Sequence, residues 1–462
     1  MKKFRTAICL FLCIAVVIPC VGCFRDKAPF VPTSAEMLWK KIDQTMNALD
    51  SYEASGTLEV VFYNQGVRFD AAGEVHIVQA FYEEQPYEYT QTTTNLRCDE
   101  YSYRENQKQI QAYYKGKAYF LDQRDDKSRR ICSKVPYEDF LKMTSGDAMT
   151  ADVDLMACTD KAFNQETDGT WSLKLSGYTK KTLDVFLETV GMDSLVMSED
   201  VQDMEITITA DALFRVQKLE YALVFSKKAT AGTMLKMNYM ISKYNEAAIN
   251  SAEIKTQQYT EVEHIQVMFD VEDQLEQILE KKSGKINLDV EQTLTRGEKS
   301  QDIHEKYQIA YGQKNGSLFY NIEADSNNAK MTVSYENGVQ TTSAGGKKET
   351  SSLSDNEAET VLESLANYVC YQESAVSNIQ KVKDNEYRLT MSYCAIPGIE
   401  ELFTSNAGFF NTANQTITVR FENGKLTRME TDAEANGSIG NLWTVLKVHA
   451  QIVYKDGGGE VV

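Results

Sequence analysis

The 462-residue sequence predicts an α+β protein made of two tandem modules, each a curved antiparallel sheet with helices on its concave side. Three observations carry that expectation. Short runs of alternating apolar and polar residues recur along the chain, as half-buried strands require. A few segments repeat apolar residues at helical spacing instead. The order helix, strands, helix, hairpin, terminal strand then occurs twice, offset by about 210 to 235 residues.

The first 22 residues stand apart. Met1-Lys2-Lys3-Phe4-Arg5 is basic, Ala7 to Pro19 is apolar, and Val21-Gly22 are small residues directly before Cys23. This is the pattern of an export signal with a lipoprotein cleavage box, which makes residues 1–22 a signal peptide and Cys23 the lipidated first residue of the mature chain. The apolar run falls short of the roughly 20 residues a membrane-spanning helix needs. Cys20 departs from the aliphatic residue usual three positions before the cysteine. Cys20-Val21-Gly22-Cys23 also spells C-x-x-C, but no strand-to-helix context surrounds it. Residues 23–33, with two prolines and mixed charge, read as a tether. Phe24 after the cysteine fits a single-membrane cell or outer-membrane sorting alike.

The first module is expected over residues 34–262. Ser34 caps a helix whose Met37, Leu38, Ile42, Met46 and Leu49 share one face. Leu58, Val60 and Phe62 begin a sheet, and alternation continues through 74–80, 87–93, 112–121 and 171–175. Between the last two lie Pro136 to Met143 and a poorly patterned stretch to Asp168. A helix over 180–190 turns Leu183, Phe186, Leu187 and Val190 inward and stops at Gly191. Strands at 204–209, 216–225 and 234–244 complete the module.

The second module, 263–462, repeats the plan. A helix over 271–282 carries Leu275, Ile278 and Leu279, and strands follow at 285–294, 305–311, 317–323 and 329–335. Residues 337–352 are polar and rich in Gly, Ser and Thr, which reads as a loop. Ser354 and Glu357 form a capping box before Val361, Leu362, Leu365 and Val369. A strand at 387–392 leads to a short amphipathic segment at 399–403. Asn423-Gly424 is a two-residue hairpin signal between 416–421 and 426–433, and the last strand covers 443–454.

Charge narrows the partners. The first 22 residues hold three of the 48 basic residues and none of the 67 acidic ones, so the mature chain carries about −22. Phosphate recognition needs clustered cations, which excludes nucleic acid. An anionic membrane surface is equally unfavourable, leaving the lipid on Cys23 as the membrane contact. Beyond Cys23 lie Cys98, Cys132, Cys158, Cys370 and Cys394, an odd number without regular spacing, read as ordinary buried residues rather than a disulfide framework.

Catalytic signatures are absent from the sequence. His76, His264, His304 and His449 are scattered and none stands in a zinc spacing. No G-x-S-x-G elbow occurs, and Gly345-Gly346-Lys347-Lys348 lacks the upstream glycine of a phosphate loop. Acidic pairs such as Glu83-Glu84 and Asp125-Asp126 read as solvated turns. The expectation is a non-enzyme without cofactor or metal.

The entry into the first sheet carries a resemblance. The cysteine box, the helix Trp39-Lys40-Lys41-Ile42 to Leu49, and Ser51-Tyr52-Glu53-Ala54-Ser55-Gly56-Thr57-Leu58 resemble the lipoprotein-localisation-factor superfamily of bacterial lipoproteins, which includes mycobacterial lipid carriers and clostridial-type relatives. Ser283-Gly284-Lys285-Ile286 in the second half lacks the tyrosine. The resemblance implies an unclosed β-barrel, used twice, whose hollow can hold acyl chains. It transfers no functional residue.

Two ligand surfaces follow. The apolar inward face, Leu38, Ile42, Leu183, Phe186, Leu187 and Ile206 in the first module and Leu362, Leu365, Leu402, Ile417 and Val419 in the second, would line a slot for a lipid or acyl chain. Tyr82, Tyr87, Tyr89, Tyr101, Tyr103, Tyr113, Tyr114 and Tyr119 would either stack on a partner or fill half-exposed strands. The expected function is a tethered extracytoplasmic lipoprotein that binds an apolar or amphiphilic ligand. The alternative is a non-catalytic envelope module that engages a protein partner in assembly, sporulation or sensing.

Overall fold

The computed structural model describes residues 30–456 except 65–66, 83–84, 101–102, 126, 146–153, 190–199, 227–229, 231, 248–253, 281–282, 315–316, 328, 370, 393–408 and 440–441. Cys23 and Leu402 lie outside the described residues, as do Cys370, Cys394 and the segment 399–403. The chain divides into two compact units, Met1–Thr260 and Glu261–Val462.

The first unit opens with α1 (Ala35–Met46) and runs through β1 (Ser51–Asn64), β2 (Val67–Tyr82), β3 (Gln85–Cys98), β4 (Tyr103–Tyr114), β5 (Lys117–Arg124) and β6 (Lys127–Lys134). Then come α2 (Tyr137–Ser145), β7 (Cys158–Gln165), β8 (Trp171–Tyr178), α3 (Lys180–Thr189), β9 (Val201–Ala210), β10 (Val216–Phe225), β11 (Met234–Ser242) and the two-residue β12 (Thr260–Glu261). The sheet order is β12-β6-β5-β4-β3-β2-β1-β11-β10-β9-β8-β7. Two meanders therefore meet where the first strand pairs with β11, Glu53 opposite Ser242 and Val61 opposite Met234.

The second unit contains α4 (Gln266–Glu280), β13 (Ser283–Arg296), β14 (Lys299–Lys314), β15 (Ser317–Ser326), β16 (Ala329–Glu336), β17 (Val339–Ala344) and β18 (Lys347–Ser352). It continues with α5 (Asp355–Ala366), β19 (Val376–Lys383), β20 (Glu386–Met391), β21 (Phe409–Glu422), β22 (Lys425–Ile439) and β23 (Leu442–Asp456). Its order, β18-β17-β16-β15-β14-β13-β23-β22-β21-β20-β19, joins first strand to last, where the first unit joins β1 to β11.

The α+β expectation fails. Twenty-three strands stand against five α-helices among the described residues, and the helices do not cover a concave side. Dimensions explain this. The longest described helix, α4, has 15 residues, which is about 22 Å at 1.5 Å per residue. Eleven or twelve strands spaced about 4.8 Å apart extend to about 50 Å. Each helix can lie against only part of its sheet, so the chain is a mainly-β protein.

The helices form where expected for local reasons. Ser34 accepts from Met37 N at 3.2 Å, and Ala35, Leu38 and Ile42 are the buried stripe of α1. The capping box of α5 is complete, with Ser354 accepting from Glu357 N and the Glu357 carboxylate accepting from Ser354 N at 2.8 Å. Sheet tyrosines close the C-termini of α4 and α5, where the last carbonyls have no partner within the helix. Tyr311 donates to Ile278 O at 2.5 Å, and Tyr454 donates to Ala366 O at 2.7 Å.

Three further local expectations change. Residues 112–121 form two strands, β4 and β5, turning at Lys115-Gly116, both at positive φ. The poorly patterned stretch to Asp168 includes β7, with Cys158 paired to Tyr178 and Gln165 to Trp171. The supposed loop at 337–352 is the hairpin β17–β18, Val339 paired with Ser352 and Ala344 with Lys347. Its strands are exposed or half-exposed throughout, so no alternation marks them.

Candidate functional site

Residues of α1 and the strands facing it build an apolar cavity in the first unit. It measures ≈ 80 Å³ within ≈ 800 Å³ of atom-free space that includes its open mouth. Helix α1 contributes Trp39, Ile42, Asp43 and Met46, and β1 contributes Tyr52 and Ala54. Ile77, Ile208, Val216, Leu219, Tyr221, Tyr239 and Ile241 come from β2, β9, β10 and β11, and Leu155 from the turn before β7. Strand alternation aims these residues at one face, since the strands pair in register from Ala54 opposite Ile77 to Tyr221 opposite Ile206 and Met237.

The polar content of the wall is small and neutral. Burial pushes the Tyr221 and Tyr239 phenols well up, and burial followed by the Glu88 carboxylate does the same for Tyr52. All three keep their protons at physiological pH and present O–H groups rather than charge. Asp43 is the carboxylate of the wall and is exposed. At one side Tyr244 donates to Val216 O and Ile241 O, at 2.5 and 2.8 Å, and Arg215 lies 4.6 Å over its ring while paired with Asp211 at 2.6 Å. This bracing fixes the strand ends that form the wall.

Ile42 alone among the expected ligand-contacting residues lines this cavity. Leu38, Leu183, Phe186, Leu187 and Ile206 are buried in one apolar cluster with Ile42 and do not line the cavity. Phe186 stacks on Tyr221 with ring centroids 6.0 Å apart. In the second unit Leu362, Ile417 and Val419 are buried core and Leu365 is half-buried. Tyr221 and Tyr239 were absent from the expected set because strand pairing between segments far apart in sequence brings them to Trp39 and Ile42 of α1.

Among the described tyrosine side chains of these strands no exposed platform forms; Tyr101 lies outside the described residues, as do the side chains of Tyr82 and Tyr103. Tyr87, Tyr89, Tyr113 and Tyr119 are all buried. Tyr119 packs edge-on to Tyr259 at 5.3 Å, and Tyr113 packs on Phe140 of α2 at 5.4 Å, so the rings fill both faces of the sheet. Beside them lies a buried carboxyl. Glu88 accepts from Tyr137 Oη at 2.9 Å, and burial raises its pKa against the lowering effect of that hydrogen bond. Cys98, Cys132 and Cys158 are buried and stand in no disulfide among the described residues. In the second unit, ligand atoms of Glu430, Asp432 and His449 lie within 4.8 Å of one another.

No family model matches the chain, and no curated protein matches it. Solved structures with some likeness include a provisional outer membrane protein of Bacteroides fragilis, at 7% identity and a TM-score of 0.17, spanning 88% of this chain and 98% of that one. A DUF1329 family protein of Desulfovibrio piger shares 12% identity at a TM-score of 0.18, over 42% of this chain and 95% of that one. Scores this low carry no argument about fold or function. Among the described residues, no helix is long and apolar enough to cross a membrane.

Proposed function

We propose that this protein is an extracytoplasmic lipoprotein, anchored through Cys23, that binds the acyl chain of a lipid or related amphiphile in the cavity against α1, and that it is not an enzyme. The observation that supports this reading is the cavity itself. Its wall is aliphatic and aromatic with neutral hydroxyls, the environment an alkyl chain prefers to water by about 0.8 kcal/mol per methylene. At ≈ 80 Å³ it is smaller than the roughly 150 Å³ that accepts a benzene ring. It therefore suits the end of one unbranched chain, with the remainder in the open mouth. The lipoprotein box before Cys23 and the resemblance to lipid-carrying lipoproteins agree with that assignment.

Native mass spectrometry of the chain from Phe24 onward, expressed in a bacterium and purified without detergent, tests it. A co-purified lipid of a few hundred to about a thousand daltons that leaves on denaturation is the expected result, in the size range of drug-like to lipid ligands. A ligand-free protein that also fails to take up a fluorescent fatty acid refutes the reading. Labelling of the full chain with a palmitate analogue, lost in Cys23→Ser, tests the anchor separately.

A further inference from the structure

The outward face of the second sheet carries a row of alternating carboxylates and imidazoles. Asp432 of β22 stands directly opposite His449 of β23, which on its other side stands opposite Glu291 of β13, and Glu291 stands opposite His304 of β14. Glu430 lies two residues from Asp432 on the same strand face. The ligand atoms of Glu430, Asp432 and His449 are all within 4.8 Å of one another, with His449 Nδ1 2.8 Å from Asp432 Oδ1.

From this geometry we propose that Glu430, Asp432 and His449 form a binding site for a divalent transition metal ion, of which Zn²⁺ is the best match. One imidazole and two carboxylates are hard-to-borderline donors of the kind zinc takes, and three protein ligands leave a position for water. The site is preorganised because its ligands sit on neighbouring strands of a continuous sheet rather than on loops. Arg428 holds Glu430 Oε2 at 2.5 Å, which leaves Oε1 for the metal and fixes the carboxylate's orientation. Glu291 adds a third carboxylate beside His449.

The other half of the row supplies a control. His304 contacts Asp289 at 2.8 Å, but Lys306 also occupies that carboxylate at 3.0 Å. Among the described residues no further carboxylate or imidazole completes a three-ligand group around His304 and Asp289. His449 and Asp432 are 43% and 70% exposed, so replacing them leaves the core intact.

Calorimetric titration of the full chain in detergent with Zn²⁺ at pH 7.5 tests the proposal. One equivalent is expected, weakened at least about 30-fold by His449→Ala and about 10-fold by Asp432→Asn or Glu430→Gln, in the range set by loss of one donor. His304→Ala should leave it unchanged, and Ca²⁺ should not compete. A urea midpoint unchanged in His449→Ala shows that folding is not the cause. If Zn²⁺ fails to bind, if His449→Ala binds as wild type, or if Ca²⁺ displaces it equally, the three residues form only a cross-strand ion pair and the proposal falls.

Discussion

Gly56 and Tyr239 face each other across β1 and β11, and a Cβ on Gly56 would lie 2.6 Å from the Tyr239 ring. The second unit repeats the device with Gly284 opposite Tyr311, where a Cβ would meet the phenol at 2.4 Å. In both, a glycine opens room in a long strand for a buried aromatic ring to lie over the backbone, which also covers the surface that glycine leaves bare. Tyr239 lines the cavity and Tyr311 holds the end of α4, so each glycine supports a tertiary contact as well as a strand.

Gly56→Ala should therefore destabilise the first unit by about 1–3 kcal/mol, the range for forced overpacking. It should also shift Tyr239 in the cavity wall. Urea unfolding followed by tyrosine fluorescence, together with fatty-acid uptake, reads both effects. An alanine variant as stable as wild type would show that the ring moves aside freely.

Ala54→Phe should block the cavity. Ala54 is buried in its wall, and a ring there occupies the space an acyl chain would take. Uptake of a fluorescent fatty acid should fall at least about tenfold, equivalent to about 1.4 kcal/mol. Leu362→Ala in the second unit should leave uptake unchanged.

Glu88 gives the first unit a pH dependence of definite sign. Its carboxyl is raised by burial above the ordinary 4.5, so the folded state holds this proton more tightly than the unfolded one. Its contribution to stability is fully present below the ordinary value, declines as pH rises above 4.5, and is gone above the folded pKa. Glu88→Gln should flatten that part of the profile and raise stability at pH 8 by about 1–3 kcal/mol, the cost of an uncompensated buried polar group. The difference between wild-type and variant urea midpoints at pH 5 and pH 8 measures it. A difference that does not grow with pH would contradict the assignment.

Tyr454→Phe should cost about 1–3 kcal/mol by leaving the last carbonyl of α5 without its donor in a buried setting. Hydrogen exchange should speed in residues 355–366 ahead of the sheet. Uniform loss of protection across the unit would mean that the helix has no separate stability to lose.

Legibility in the sequence followed local chemistry. The Ser34 cap, the Ser354 and Glu357 capping box, and the Asn423-Gly424 turn could be read directly because each depends on residues within a few positions. Strands with one buried face were readable by alternation. The hairpin at 339–352 was not, since neither face is fully buried and polar residues line both. The class was misjudged because listing elements in order gives a ten-residue helix the same weight as a sixteen-residue strand. Ile42 was identifiable from its helix stripe, whereas Tyr221 and Tyr239 join it only through the pairing of β1, β11 and β10. His449 and Asp432 lie 17 residues apart and meet only through the register of a hairpin.

The pairing of β1 with β11 and of β13 with β23 sets the order in which the chain can fold. Glu53 cannot pair with Ser242, nor Gly284 with Asp456, until the segment between them has been made. Closing loops this long carries a large entropic penalty before any contact compensates it, so nucleation should begin in the local meanders on either side. Until β11 arrives, β1 presents a bare hydrogen-bonding edge bearing Leu58, Val60 and Phe62, a template for association with other chains. A growing chain would thus be most vulnerable to aggregation in the interval between synthesis of β2 and β11, and a chaperone that shields extended apolar strands would protect it over that interval.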